Sequence, residues 1–128
     1  MMPVSAAALA AVAAGGAVGS LARFLAGLAV TSWLGLHIAW ATLGVNVVGG
    51  FLIGVIAESL ARSGLDGLLR PLLITGFLGG FTTFSAFSLE VVTLSRSEPL
   101  IALGYALVSV LACVFACAGG IALVRTLA

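Results

Sequence analysis

The chain has 128 residues, of which 62% are hydrophobic and only 7% are charged, and its mean hydropathy is +1.35. A water-soluble fold of this length buries only about two thirds of its unfolded surface, so this composition predicts an integral membrane protein. The five basic residues are all arginine and the formal net charge is +1, which excludes the basic patch that a nucleic-acid partner requires.

Four apolar segments are each long enough to cross a bilayer, which takes about 20 residues. Their short connections favour antiparallel neighbours in one bundle. Pro71 and Pro99 suit the first turn of a helix, where a missing N–H costs nothing. We therefore predict an all-α membrane protein with a single four-helix domain over residues 1–128. The predicted spans are residues 4–30, 38–60, 71–94 and 100–124.

The first span is rich in alanine and could be mistaken for a secretory signal. A signal peptide carries positive charge ahead of its apolar core, whereas Arg23 follows the core here. Gly15 and Gly19 have the spacing that lets membrane helices approach closely. An arginine at mid-bilayer costs about 2.5 to 3.5 kcal/mol, so Arg23 should either snorkel to the interface or face an interior partner. We favour the interface, and attraction of anions to a pore mouth is the alternative.

A row of small and polar residues recurs every four positions along the second span, so its members share one helix face. Asn46 is the informative member, because a buried amide in a membrane helix must find partners. It either holds helices together or presents its N–H groups to a passing solute, and the spacing leaves both open. The row consists of Thr42, Asn46, Gly50, Gly54 and Glu58.

The third span contains the sequence TGFLGGFTTFSAFSLE, residues 75–90, in which two adjacent glycines precede a run of hydroxyl side chains. Hydrocarbon cannot hydrogen-bond a loosened backbone, so such a stretch is tolerated only where it is buried in protein or lines a watery path. We predict that this helix is broken near its middle and that the stretch is the functional site. Phe84 and Phe87 place both rings on one face if a helix resumes there.

The fourth span carries a second row with the same spacing, in which hydroxyls at one end give way to thiols. A lone serine in a membrane helix means little, since it often bonds to its own backbone. Two polar rows on separate helices, with a loosened helix between them, indicate a lined passage. The row consists of Tyr105, Ser109, Cys113 and Cys117.

No group of residues points to catalysis. His37 is the only histidine and lies between Trp33 and Trp40, which suit the membrane interface. No Ser-His-Asp set, metal cluster or phosphate-binding loop can be assembled from the remaining residues. Cys113 and Cys117 share a helix face and suit packing better than a disulfide or a metal pair. An enzyme is the least supported class.

The arginines provide a weak signal for orientation. With four spans, both termini share one side with Arg62, Arg70 and Arg125, while Arg96 and Arg23 lie towards the other. Three arginines on one side against two on the other give only a small positive-inside bias, so the sequence does not select one orientation. A chain that inserts either way can pair with an inverted copy, which predicts an antiparallel, dual-topology homodimer with two equivalent pathways. Four spans are also too few to enclose a conduit comfortably.

The stretch at 75–90, with TLGVNVVGG at 42–50 and GSLARF at 19–24, resembles the CrcB or Fluc family of fluoride channels over essentially the whole chain. The resemblance implies passive export of cytoplasmic fluoride through two pores of an antiparallel homodimer in the bacterial inner membrane. It also implies a structural sodium ion at the dimer centre, held by backbone carbonyls of Gly79 and Thr82. The pore residues that it implies are Phe84, Phe87, Asn46, Thr42, Tyr105, Ser109 and Ser85, and Arg23 and Glu90 match further charged positions. Cys113 departs from the family, in which its place is often taken by serine.

Fluoride is small and strongly hydrated, so its path must replace lost water with N–H, O–H and positive ring edges. Two other classes remain. A proton-coupled small multidrug transporter also uses a four-span dual-topology dimer, but it would need an acid in its first helix, and the first span contains none. A membrane assembly subunit without transport would use the glycines and Asn46 only to pack helices.

Overall fold

The computed structural model describes residues 5–127, and Val4, at the start of the predicted first span, lies outside them. Within the described residues the regular structure is helical, and four helical spans are long and apolar enough to cross a membrane. The prediction of an all-α protein with four transmembrane helices is confirmed. The spans are Ala6–Trp33, Ile38–Ser63, Arg70–Ser95 and Pro99–Leu127.

The first span begins with α1, Ala6–Leu28, which is capped by Ser5. The Ser5 hydroxyl accepts the N–H of Ala8 at 3.1 Å and so satisfies one of the free donors at the helix start. A π-helical turn, Ala29–Trp33, follows α1. The span therefore continues past residue 30, where the hydrophobic pattern predicted its end.

The second span is a single helix, α2, Ile38–Ser63. Nδ1 of His37 accepts the N–H of Ala39 at 3.2 Å and caps the start of the helix. At the other end Gly64 has φ 69°, a left-handed conformation that glycine adopts without steric cost. The helix is three residues longer than predicted, because Gly64 and not the loss of apolar residues ends it.

The third span is helical on both sides of two residues with extended backbone. It starts with a π-helical stretch, Arg70–Leu78, and a short α3, Gly79–Phe81. Thr82 has φ −83° and ψ 161°, and Thr83 has φ −154° and ψ 117°. α4, Phe84–Ser95, then begins with the Thr83 hydroxyl accepting the N–H of Ala86 at 3.2 Å.

The fourth span, α5, Pro99–Leu127, packs along α2 at small residues. A Cβ added to Gly50 would lie 2.9 Å from the Cys113 carbonyl oxygen, and one added to Gly54 would collide with the carbonyl of Cys117. The rows predicted on the second and fourth spans therefore face each other. Near the carboxyl-terminal end of both helices, Glu58 of α2 accepts a hydrogen bond from Nε of Arg125 of α5 at 3.0 Å, which links the two helices.

Glycines of α1 make a second close contact, with the first half of the third span. A Cβ added to Gly19 would collide with the Phe77 carbonyl and would lie 2.9 Å from the backbone nitrogen of Phe81. The spacing of Gly15 and Gly19 predicted a close helix approach, and the structure supplies the partner. Few side chains are buried inside the bundle, so most of the apolar surface faces outward.

We expect Gly19→Ala to destabilise the protein by about 1 to 3 kcal/mol, because the added methyl group overpacks the contact with Phe77. Thermal unfolding in detergent measures the change. Gly16→Ala is the matched control on the same helix, since its Cβ would meet no heavy atom closer than the Gly76 carbonyl oxygen at 3.8 Å. Equal melting temperatures for the two variants would contradict this account of the packing.

Candidate functional site

A cavity of about 420 Å³, the larger of two described here, lies between α2, the third span and α5, beside Thr82 and Thr83. Its wall combines apolar side chains with a few amide and hydroxyl groups, the composition expected of a site for a small solute. None of the described residues in this wall carries a positive charge. Its polar and aromatic residues are Asn46, Thr82, Thr83, Phe84, Phe87, Ser109 and Cys113, and Gly79 also borders it.

Asn46 is joined to the backbone of Thr83 by two hydrogen bonds. Its Oδ1 accepts the Thr83 N–H at 2.7 Å, and its Nδ2 donates to the Thr83 carbonyl at 2.9 Å. In a continuous helix the Thr83 N–H would donate to the carbonyl of Gly79. The Asn46 amide therefore replaces a helical bond across the two extended residues, and its second Nδ2 hydrogen has no acceptor among residues 5–127.

Three aromatic rings form a row, in which Phe84 and Phe87 line the larger cavity and Tyr105 lies in neither described cavity wall. The ring centroids of Phe84 and Phe87 lie 5.3 Å apart with planes inclined at 51°, and those of Phe87 and Tyr105 lie 5.5 Å apart at 57°. Tilted pairs of this kind set the positive edge of one ring towards the face of the next. Phe87 is buried, whereas Phe84 is 74% exposed.

The hydroxyls of Thr42 and Tyr105 both donate to the carboxylate of Glu90. Oγ1 of Thr42 lies 2.7 Å from Oε1, and the Tyr105 hydroxyl lies 2.7 Å from Oε2. Each carboxylate oxygen thus receives one neutral donor, which compensates for its removal from water. The structure brings together three of the residues singled out from the sequence, and it directs both hydroxyls at Glu90.

Arg23 faces the interior of the bundle. Its Nε donates to the Gly80 carbonyl at 3.0 Å, just before the extended residues. A second cavity of about 300 Å³ contains Arg23, Thr42, Thr83 and Glu90 in its wall. Of the two alternatives for Arg23, this hydrogen bond to a carbonyl within the bundle supports the interior partner over the favoured interface.

Ser109 and Ser85 occupy different surroundings. Ser109 is 4% exposed and lines the larger cavity, and its Oγ has no hydrogen-bond partner among the described residues. Ser85 is exposed and lies outside both cavity walls, with its hydroxyl 3.4 Å from that of Thr83. Only the first of these two predicted hydroxyls is therefore placed in a cavity wall.

The backbone carbonyls near the extended residues have the chemistry of ligands for a hard cation. The Thr83 N–H donates to Asn46, so the Gly79 carbonyl lacks its usual helical donor. Neutral carbonyl oxygens suit sodium, and freed carbonyls of interrupted membrane helices are known to take this role. Residues 5–127 contain no group of three His, Cys, Asp or Glu side chains that could hold a metal instead.

Sequence reasoning placed Thr83 and Gly80 in the predicted functional stretch but assigned no role to either. Thr83 caps α4, bonds to Asn46 at both ends of its own backbone, and lies in the walls of both cavities. A hydroxyl residue just before an apolar helical run is a helix-start signal, so the cap could have been found from the sequence. The Gly80 carbonyl that accepts from Arg23 leaves no such signal, since any residue has a carbonyl.

The fold and the site together define a small multi-pass helical membrane protein with polar cavities bordered by its third span. Residues 10–121 match the family described as "CrcB-like protein, Camphor Resistance (CrcB)". The chain belongs to this CrcB/Fluc family, as its sequence motifs predicted.

Relatives of the chain in several bacteria are named "Fluoride-specific ion channel FluC". The chain is 50% identical over 119 residues to the one from Rhizobium leguminosarum bv. trifolii, with 91% of this chain and 95% of the relative covered. It is 45% identical to the one from Nitrobacter winogradskyi, with 91% and 94% covered. It is 44% identical to the one from Hahella chejuensis, with 89% and 91% covered. These relatives are named as channels, which are not a class of enzyme.

Proposed function

We propose that this chain is a fluoride-selective channel through which cytoplasmic fluoride leaves the cell passively. The observation that carries the proposal is the larger cavity, in which an amide, a buried hydroxyl and two phenyl rings meet at membrane depth. These groups replace the water that a small anion loses. The described wall holds no cationic side chain, so fluoride is bound weakly enough to move on. The names of the relatives support the same function.

The proposed channel is an antiparallel homodimer of inverted copies in the bacterial inner membrane. Phe84 is 74% exposed beside the polar groups of Asn46 and Thr83, which lipid cannot hydrogen-bond. A second copy would cover this side of the cavity and complete its wall. A two-fold axis in the membrane plane then generates two equivalent pores, one for each copy of the site.

In this proposal the third span works as a broken helix that holds a structural sodium ion at the dimer centre. The extended angles of Thr82 and Thr83, together with the bonds from Asn46, support such a break. The carbonyls of Gly79 and Thr82 are the groups that would hold the ion. When bound, sodium supplies a positive charge that offsets part of the desolvation of the anion.

Efflux from liposomes tests the function directly. Purified protein is reconstituted with internal potassium fluoride or potassium chloride, and an ion-selective electrode follows each anion after valinomycin is added. We expect fast fluoride efflux and no chloride efflux, and protein-free liposomes are the control. Fluoride movement only with a proton gradient would favour a transporter, and no movement of either anion would favour an assembly subunit.

A further inference from the structure

A cysteine thiol stands in the wall of the larger cavity. Cys113 lines it together with Asn46, Phe84 and Phe87. Cys117 lies one helical turn further along α5 and is not part of that wall. Both cysteines are free and half-buried. The two thiols therefore share a helix and a degree of burial, and they differ in whether they border the cavity.

The residue one turn before Cys113 is a hydroxyl without a partner. Ser109 precedes Cys113 by four positions, so the two side chains lie on one face of α5. Ser109 is 4% exposed, its Oγ has no hydrogen-bond partner among residues 5–127, and it lines the same cavity. An unpartnered oxygen and a free thiol thus border one cavity, which Phe84 and Phe87 also line.

We propose that Cys113 and Ser109 form a binding site for a soft, thiophilic monovalent cation such as Ag⁺, and that the bound cation closes the anion path. Thiolate sulfur selects soft metals, and the Ser109 hydroxyl adds a weaker oxygen donor. Silver bonds to sulfur as the thiol proton leaves to water, so no oxidation state changes and the charge balances.

Blockage follows from where the site lies. A silver ion on Cys113 occupies volume between α5 and the two phenyl rings, the space that the proposed function assigns to fluoride. This second part of the inference rests on the proposed function. The binding itself depends only on the geometry of the wall, so the two parts can be tested separately.

The test uses full-length protein in chloride-free nitrate solutions, because silver chloride precipitates whereas silver fluoride is soluble. The Cys117→Ser protein keeps only the thiol of Cys113, and the Cys113→Ser protein keeps only the thiol of Cys117. In detergent, we expect silver nitrate to protect Cys113 of the Cys117→Ser protein from N-ethylmaleimide, as seen by peptide mass spectrometry. In liposomes, we expect silver to stop fluoride efflux by wild type and Cys117→Ser, but not by Cys113→Ser.

Each result decides one part of the inference. Alkylation of Cys113 at an undiminished rate in silver would overturn the site, whatever the protein transports. Protection of Cys113 with undiminished efflux would overturn the closure of the path. Absence of efflux before silver is added would count against the proposed function alone. The arms with Cys117→Ser need no change at Cys113, so they decide the matter even if Cys113→Ser fails to fold.

Discussion

Replacing Asn46 with aspartate is expected to abolish fluoride efflux from liposomes. The aspartate can still accept the Thr83 N–H, but it has no hydrogen to donate to the Thr83 carbonyl, which lies 2.9 Å from Nδ2 in the native protein. Two oxygens would then face each other, at a cost of about 1 to 3 kcal/mol for the lost bond and more for a charged group. A carboxylate in the wall would also repel the anion.

The measurement is the initial efflux rate per reconstituted protein, with the elution profile in detergent as the check on folding. Val48→Leu is a control on the same helix, because Val48 is half-exposed and lies in neither cavity wall. Its efflux should match that of the native protein. Native efflux by Asn46→Asp would show that neither the second hydrogen bond nor the charge of residue 46 matters for conduction.

Replacing Phe84 with isoleucine is expected to slow fluoride efflux about tenfold. Aromatic pairs gain about 0.5 to 1.5 kcal/mol from their ring geometry, and if the edge contact to fluoride is of similar size, a loss of about 1.4 kcal/mol corresponds to a factor of ten in rate. Isoleucine keeps an apolar side chain but has no positive edge. Phe84 is 74% exposed within one chain, so the substitution leaves the core of that chain intact.

Phe115 provides the matched control for this substitution. It is 72% exposed, it lies on α5, and it belongs to neither cavity wall. Phe115→Ile should therefore conduct at the native rate. Phe87→Ile should also slow efflux, but Phe87 is buried, so lost packing contributes to its effect. The assignment of Phe84 to the ion path is wrong if Phe84→Ile and Phe115→Ile conduct equally well.

The four spans could be predicted because length and hydropathy alone decide which segments cross a bilayer. The ends of the spans could not be predicted in the same way. The end of α2 before Gly64 and the π-helical turn at Ala29–Trp33 depend on backbone angles. The rows on the second and fourth spans were predicted from spacing. Their mutual contact through Gly50 and Cys113 was not, because helix spacing shows a shared face but not what packs against it.

The side chains of the site were easier to predict than their partners. Asn46 and Glu90 were identified, but the bonds they make join residues far apart in the chain. Two interpretations of Asn46 were left open. The hydrogen bonds show the first, a link between helices, and the role towards a solute stays a prediction. The interface was favoured for Arg23 because a sequence does not show which backbone carbonyl lies near a side chain. The acceptor in the structure is the Gly80 carbonyl.

Thr83 lies in the walls of both cavities. Asn46 of α2 holds it in place by hydrogen bonds to its backbone N–H and to its carbonyl. The wall of each cavity therefore depends on the position of the same residue. A substitution on α2 that displaces Thr83 is expected to alter both cavities at once.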